Sequence, residues 1–182
     1  MLHIKKVQLY KERNEQKRAD FVNIIKRVLP ENLVFVDASG INRFLYREYC
    51  RASKGQKIIA EIPGKRFVRQ SIVAAQCGKK IVAALCYQGT CNTMLFNFWI
   101  KEMLIPELKP GQIVIVDNAA IHKSEETKKL IEGVGSKLMF LPSYSPDLNP
   151  IEHYWAWLKK KIRGTVYKFE TLDEVISCAM GG

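Results

Sequence analysis

Residues 33–40 read LVFVDASG. The apolar run is continuous, rich in β-branched and aromatic side chains, and closed by Asp37 and a turn, which predicts a β-strand buried on both faces. Residues 112–119, QIVIVDNA, repeat the pattern and end in Asp117. Both segments predict a carboxylate at the carboxyl end of a buried strand, where open α/β sheets place ligand-contacting groups. Neighbouring strands stand about 4.8 Å apart, so if these two are adjacent their carboxylates lie side by side and can share one divalent ion. A single Asp in such a place reads equally well as a turn or cap residue. Two of them, each after an uninterrupted apolar run, favour a site.

Around these runs the chain alternates in a way that predicts an α/β fold. RQSIVAAQC and KKIVAALCY meet at Gly78 and Lys79 and read as an antiparallel hairpin. A long apolar helix is expected over NTMLFNFWIKEMLIPEL (92–108), a helix capped by Ser124 over SEETKKLIEGVG, and a last strand at KLMFLP (137–142). Residues 11–29 read as an amphipathic packing helix with Phe21, Ile24, Ile25 and Leu29 on one stripe and Pro30 stopping it. Residues 41–66 are basic and mixed and read as loop and edge structure. In KFETLDEVISCAM, Thr171 and Glu174 make a capping-box pattern for a short terminal helix. The expectation is one mixed five-stranded sheet with helices on both faces, divided into a helical lead-in (1–30) and the sheet domain (31–182).

Composition narrows the partners. A length of 182 residues suits one domain. The longest apolar runs fall far short of the roughly 18 residues that span a bilayer, and the N-terminus turns charged too soon for a secretory signal, so no membrane association and an intracellular location are expected. The five cysteines are scattered without a CxxC pair and read as reduced packing residues. With 29 basic and 18 acidic residues, the formal charge of +11 suits a partner rich in phosphates.

LPSYSPDLNPIEHYWAWLKKK (141–161) sets three prolines at four-residue intervals ahead of a basic helix. Asn149 is a good N-cap, Pro150 fits the first helical position and Glu152 the third, so NPIE is a complete capping signal. The same stretch also reads as a device for fixing a carboxylate: the prolines stiffen the approach, and Ile151, Trp155, Leu158 and Ile162 clamp one helix face onto the core. Three convergent carboxylates, Asp37, Asp117 and Glu152, suit two-metal phosphoryl transfer with magnesium or manganese, the ions being about 3.5 to 4 Å apart. Lys159, Lys160, Lys161, Arg163 and Lys168, interleaved with aromatics, read either as a phosphate-contacting surface or as a solvated helix face.

VFVDASGIN, GQIVIVDNAAIHKS and above all FLPSYSPDLNPIEHYWAWLK resemble the catalytic domain of DDE transposases of the mariner superfamily, in its bacterial insertion sequence 630-type branch. The 34 residues between Asp117 and Glu152 match the interval typical of that group. The resemblance implies a ribonuclease H-like fold, with Asp37, Asp117 and Glu152 as the three acidic ligands of two Mg2+ or Mn2+ ions. It implies DNA cleavage that frees a 3′-hydroxyl at the element end, then attack on target DNA, usually at a TA dinucleotide. Partners would be element-end and target DNA in a homodimeric complex, in the bacterial cytoplasm at the nucleoid. Two departures stand out. Relatives commonly carry Glu after the first Asp, where this chain has Ala38, and they begin with a helix-turn-helix region absent here, so the chain reads as the catalytic half alone. The alternatives are a non-catalytic DNA-binding remnant, a ribonuclease H-like nuclease that only hydrolyses, and, more remotely, a phosphatase using Asp37, for which Ser39 stands where a second Asp is usual.

Overall fold

The computed structural model describes residues 12–41 and 69–181. The elements run α1 (Glu15–Ile25), β1 (Leu33–Ile41), β2 (Gln70–Cys77), β3 (Lys80–Gln88), α2 (Thr93–Trp99), β4 (Ile113–Val116), α3 (Glu125–Glu132), β5 (Lys137–Phe140), α4 (Ile151–Thr165) and α5 (Leu172–Met180). The strands form one sheet in the order β3-β2-β1-β4-β5. β1 pairs antiparallel with β2, and β2 with β3, whereas the β1–β4 and β4–β5 pairs are parallel. The mixed five-stranded α/β sheet expected from the sequence is therefore the fold.

Side-chain alternation along the strands feeds two layers of helix. Val34, Val36, Val73, Ala75, Val114 and Val116 bury one sheet face against Phe96, Trp99, Ile100 and Leu104 of the α2 region and Ile131 of α3. The opposite face packs Ile41, Ile72 and Ala74 against Ile151, Trp155, Leu158 and Ile162 of α4 and Leu172, Val175 and Ile176 of α5. On that same face Leu33, Phe35 and Ile115 meet Phe21 of α1.

Several local expectations need correction. β1 runs past Asp37 to Ile41, because the antiparallel β2 goes on offering partners, pairing Asp37 with Ala74 and Ile41 with Gln70. Asp37 is therefore mid-strand and not at a strand end. α1 ends at Ile25, five residues before Pro30, which instead opens a short 3₁₀ turn. Ile24 and Leu29 are 47% and 61% exposed, so only Phe21 and Ile25 of the predicted stripe meet the core. The long apolar helix continues α2 through a π-helical turn at Ile100–Leu104 and a 3₁₀ turn at Ile105–Glu107, where Pro106 lacks the N–H to carry on. Cys86 and Cys178 are exposed rather than packed, and the four cysteines among the described residues are free thiols. The loop and edge structure expected over 41–66 falls almost wholly outside the described residues.

The hairpin turns at Gly78, whose φ of +58° a glycine adopts without strain. Further along, the β2–β3 register shifts between Val73 and Ala75. Opposite that shift Ala83 takes φ +52°, and its carbonyl accepts the Trp99 indole N–H at 2.5 Å. Among the described residues no helix is long and apolar enough to cross a membrane.

Candidate active site

The parallel β1–β4 register pairs Phe35 with Ile115. Two residues further along each chain come Asp37 and Asp117, so the two carboxylates stand at the same level of adjacent strands. Glu152 arrives from the first turn of α4, which packs on that sheet face through Ile151 and Trp155. Asp37, Asp117 and Glu152 line one open cavity of about 380 Å³, whose other walls are Asn118 and Ala119 and the proline-rich loop with Ser143, Tyr144, Pro146 and Asn149.

Each aspartate has one oxygen held by the protein. Trp155 Nε1 donates to Asp37 Oδ2 at 3.0 Å. Asp117 Oδ1 accepts from the Ala119 backbone N–H at 3.0 Å and lies 2.5 Å from Nδ1 of the buried His122. The His122 ring lies 4.2 Å, centroid to centroid, from that of Phe96 in α2, which fixes it from behind.

The two environments push the carboxyls in opposite directions. Asp37 is raised from 3.8 to about 6, first by burial, then by the negative charge of Glu152 and more weakly by that of Asp117, against the lowering pull of the Ala38 and Trp155 bonds. Asp117 is held below the usual carboxylate range, chiefly by His122, with the Ala119 N–H adding to it and burial opposing both. Asp37 is therefore the first of this pair to take a proton as pH falls.

The capping reading of NPIE fails in the structure. α4 begins at Pro150 without any side-chain cap, and the buried Asn149 leaves its Oδ1 without a hydrogen-bond partner. The first turn closes through backbone alone, Glu152 N–H to Asn149 carbonyl at 3.2 Å and His153 N–H to Pro150 carbonyl at 3.1 Å. At α5, by contrast, Thr171 and Glu174 form the expected box in full. Glu152 is thus an exposed carboxylate on the cavity wall and no part of a capping box.

In chemical type the site suits a hard divalent cation, because its donors are all oxygens and because Asp37, raised by burial and then by the charge of Glu152, gains from a nearby positive charge. Among the described residues, no three His, Cys, Asp or Glu side chains are already gathered closely enough to hold one ion. Ligation would therefore require side-chain rotation.

The basic residues divide by helix face. Lys159 and Arg163 follow Glu152 at seven and eleven residues, which puts all three on one side of α4, with the exposed Lys160 at its margin. Lys161 instead donates to the Ala179 carbonyl at 3.0 Å and lies over the Trp157 ring, tying α4 to the end of α5. Lys168 lies in the 3₁₀ turn Val166–Lys168, over Tyr167. None of the five lines the cavity.

Sequence reasoning missed Trp155 as a partner of Asp37, His122 as a partner of Asp117, and the bidentate pair between buried Arg18 of α1 and Asp147 of the proline-rich loop, at 3.0 and 2.6 Å. His122 and Trp155 had a local signal, standing five residues after Asp117 and three after Glu152. Arg18 had none.

A family profile described as DDE superfamily endonuclease matches residues 32–176. The Tcb2 transposase of Caenorhabditis briggsae is 28% identical over 166 residues, covering 79% of this chain and 58% of that protein. Among solved structures, the Mos1 strand transfer complex superposes with a TM-score of 0.67 at 18% identity, over 100% of this chain and 63% of that one. A Mos1 paired end complex with Mg gives 0.67 at 19% identity, over 96% and 57%. The catalytic core of BIV integrase gives 0.52 at 12% identity, over 82% and 81%. The likeness of fold extends to the ribonuclease H-like cores of integrases, and the chain spans about three fifths of the length of the transposases it matches.

Proposed function

This chain belongs to the DDE superfamily endonucleases, and from that premise we propose that it is the catalytic part of a mariner-like transposase, which cuts DNA and joins the freed 3′-hydroxyl to target DNA. The observation that carries the reading is the meeting of Asp37, Asp117 and Glu152 around one cavity, with Asp37 raised to about 6 by burial and by the other two charges. Finer readings belong to the same proposal: kinship with the bacterial insertion sequence 630-type branch, a TA target, a homodimeric complex, action at the bacterial nucleoid, and a division of the chain at residues 30/31.

Asp37, Asp117 and Glu152 would hold Mg2+ or Mn2+, two ions in the full site. Bound there, the metal would supply Lewis-acid activation of the attacking oxygen and stabilisation of the leaving one. The chain's own part is arrangement. Trp155 and the Ala119 N–H, with His122 alongside, occupy Asp37 Oδ2 and Asp117 Oδ1, so the remaining oxygen of each carboxylate is the one offered to the cavity. Asp37 must be ionised to act, and burial with the charges of Glu152 and Asp117, which raises its carboxyl to about 6 in the metal-free site, makes it the carboxylate that most needs the metal's charge. Lys159, Lys160 and Arg163, on the Glu152 side of α4, are the cations we assign to the DNA phosphates. Lys161 and Lys168 contribute charge from the other side.

The test is incubation of the full chain with a short duplex ending in an exposed 3′-hydroxyl and a target duplex containing TA steps, in Mg2+ or Mn2+. Joined products that vanish in Asp37→Ala, Asp117→Ala and Glu152→Ala support the reading. Equal product from parent and variants overturns it, and cleavage without joining moves the assignment to a hydrolytic nuclease.

A further inference from the structure

The proline-rich loop that walls the cavity is held from outside by α1. Arg18 keeps a side-chain exposure of only 9% and faces Asp147 with a two-pronged guanidinium contact, the geometry that fixes a carboxylate in direction as well as distance. Asp147 lies in the 3₁₀ turn Pro146–Leu148, between the cavity residues Pro146 and Asn149. Next to it Leu148 packs into the cluster formed by Phe21 and Val22 of α1 with Leu33, Phe35 and Leu141. Two independent contacts from one helix, one polar and one apolar, therefore grip the same turn.

That grip adds to the apolar hold of Ile151 and Trp155 on the core, because the start of α4 has no side-chain cap and Asn149 leaves its buried Oδ1 unpartnered. Four residues separate Asp147 from Glu152, and two prolines, Pro146 just before Asp147 and Pro150 within the link, limit its freedom. A shift of the turn is passed on to Glu152 with little chance of being absorbed between them.

We propose that the Arg18–Asp147 pair is a positioning contact, through which α1 sets the proline-rich loop and holds Glu152 facing Asp37 and Asp117. The lead-in helix is then a working part of the active site. For the role of Glu152 this rests on the transposase reading; for the hold on the loop it rests on geometry alone.

The experiment compares the full-length parent with Arg18→Met, which keeps the buried aliphatic bulk without charge, and Arg18→Lys, which keeps the charge without the fork. Hydrogen exchange is followed at the amides of residues 143–153 and of β1 and β4, alongside the joining assay. In Arg18→Met, exchange over 143–153 should rise about tenfold or more while β1 and β4 stay protected. Joining should slow by about tenfold to a hundredfold at nearly unchanged KM for DNA, as misplacement of a reacting group costs. Arg18→Lys should fall between parent and Arg18→Met in both readouts. Unchanged exchange over 143–153, or an equal rise across the sheet, overturns the proposal, as does raised loop exchange with parental joining rate. A parent that joins no DNA counts against the transposase reading alone, and the exchange pattern still decides whether α1 holds the loop.

Discussion

Trp155 Nε1 donates to Asp37 Oδ2 at 3.0 Å, so the helix that carries Glu152 also grips the first aspartate. Trp155 is 2% exposed and belongs to the α4–α5 core, and one side chain therefore serves packing and site geometry together. Trp155→Phe keeps most of the ring and loses the donor. Activity should fall by roughly 10- to 100-fold, in the range found for residues that orient metal ligands, with the melting temperature lowered by only a few degrees. A parental rate with a large drop in melting temperature would show Trp155 to be a packing residue only.

Asp37 links the site to stability through its proton. Its value in the folded chain, about 6, lies above the ordinary 3.8. Its contribution to stability is therefore fully present below about pH 4 and lost as pH rises through 6, amounting to about 2–3 kcal/mol. In metal-free buffer, Asp37→Asn should gain on the parent by that amount between pH 4 and 7, measured by urea unfolding. Parallel pH profiles for the two proteins would contradict the assignment of the raised carboxyl.

The raised Asp37 carboxyl, pushed up by burial and then by the charge of Glu152, also predicts a response to metal. Adding millimolar Mg2+ to chelator-treated parent at pH 7.5 should raise its melting temperature by a few degrees, because a ligand that binds only the folded state stabilises it by mass action. Asp37→Asn and Glu152→Gln should respond less, and lowering the pH below about 6 should weaken the parent's response as protons compete with metal for Asp37. A shift of equal size in all three proteins would point to nonspecific ion effects.

His122 holds Asp117 from the opposite side. His122→Ala should allow the Asp117 carboxyl to titrate closer to its ordinary value, since His122 is the largest cause of its depression, and should slow joining by about one to two orders of magnitude. His122→Asn, which keeps a donor near the Nδ1 position, should recover part of the rate. Equal loss in both variants would trace the defect to the lost stacking on Phe96 instead.

Ala83 offers a test away from the site. Its φ of +52° disfavours any residue with a Cβ, so Ala83→Gly should stabilise the protein or leave it unchanged, by at most about 1 kcal/mol. The joining rate should stay parental. A clear destabilisation would mean that the methyl group packs more usefully than its backbone strain costs.

The sheet was legible because each strand is a short apolar run bounded by turn chemistry, and periodicity of that kind is local. The placement of Asp37 and Asp117 on neighbouring strands was legible for the same reason: each follows such a run. What stayed hidden depended on partners distant in sequence. The extension of β1 past Asp37 follows from its pairing with β2, which nothing in LVFVDASG announces. The Arg18–Asp147 pair joins residues 129 positions apart, and Arg18 reads locally as one more surface cation of an amphipathic helix. Asn149 misled in the opposite way: a good capping residue by local rule is buried in the loop, where tertiary packing overrides the preference. Lys161 misled likewise, since the carbonyl it meets belongs to α5.

The parallel pairing of β1 with β4 carries a consequence for how this chain matures. Residues 35 and 115 must meet across a long intervening stretch before Asp37 and Asp117 come level, and contacts of such sequence separation are slow to form because loop closure costs entropy. Glu152 comes later still along the chain, on a helix that needs the finished sheet face to pack upon. The three carboxylates meet only where the β1–β4 pair and the packing of α4 are both in place. On the transposase reading proposed above, the means to break DNA is assembled only when the whole sheet has closed, and the topology then acts as a safety catch.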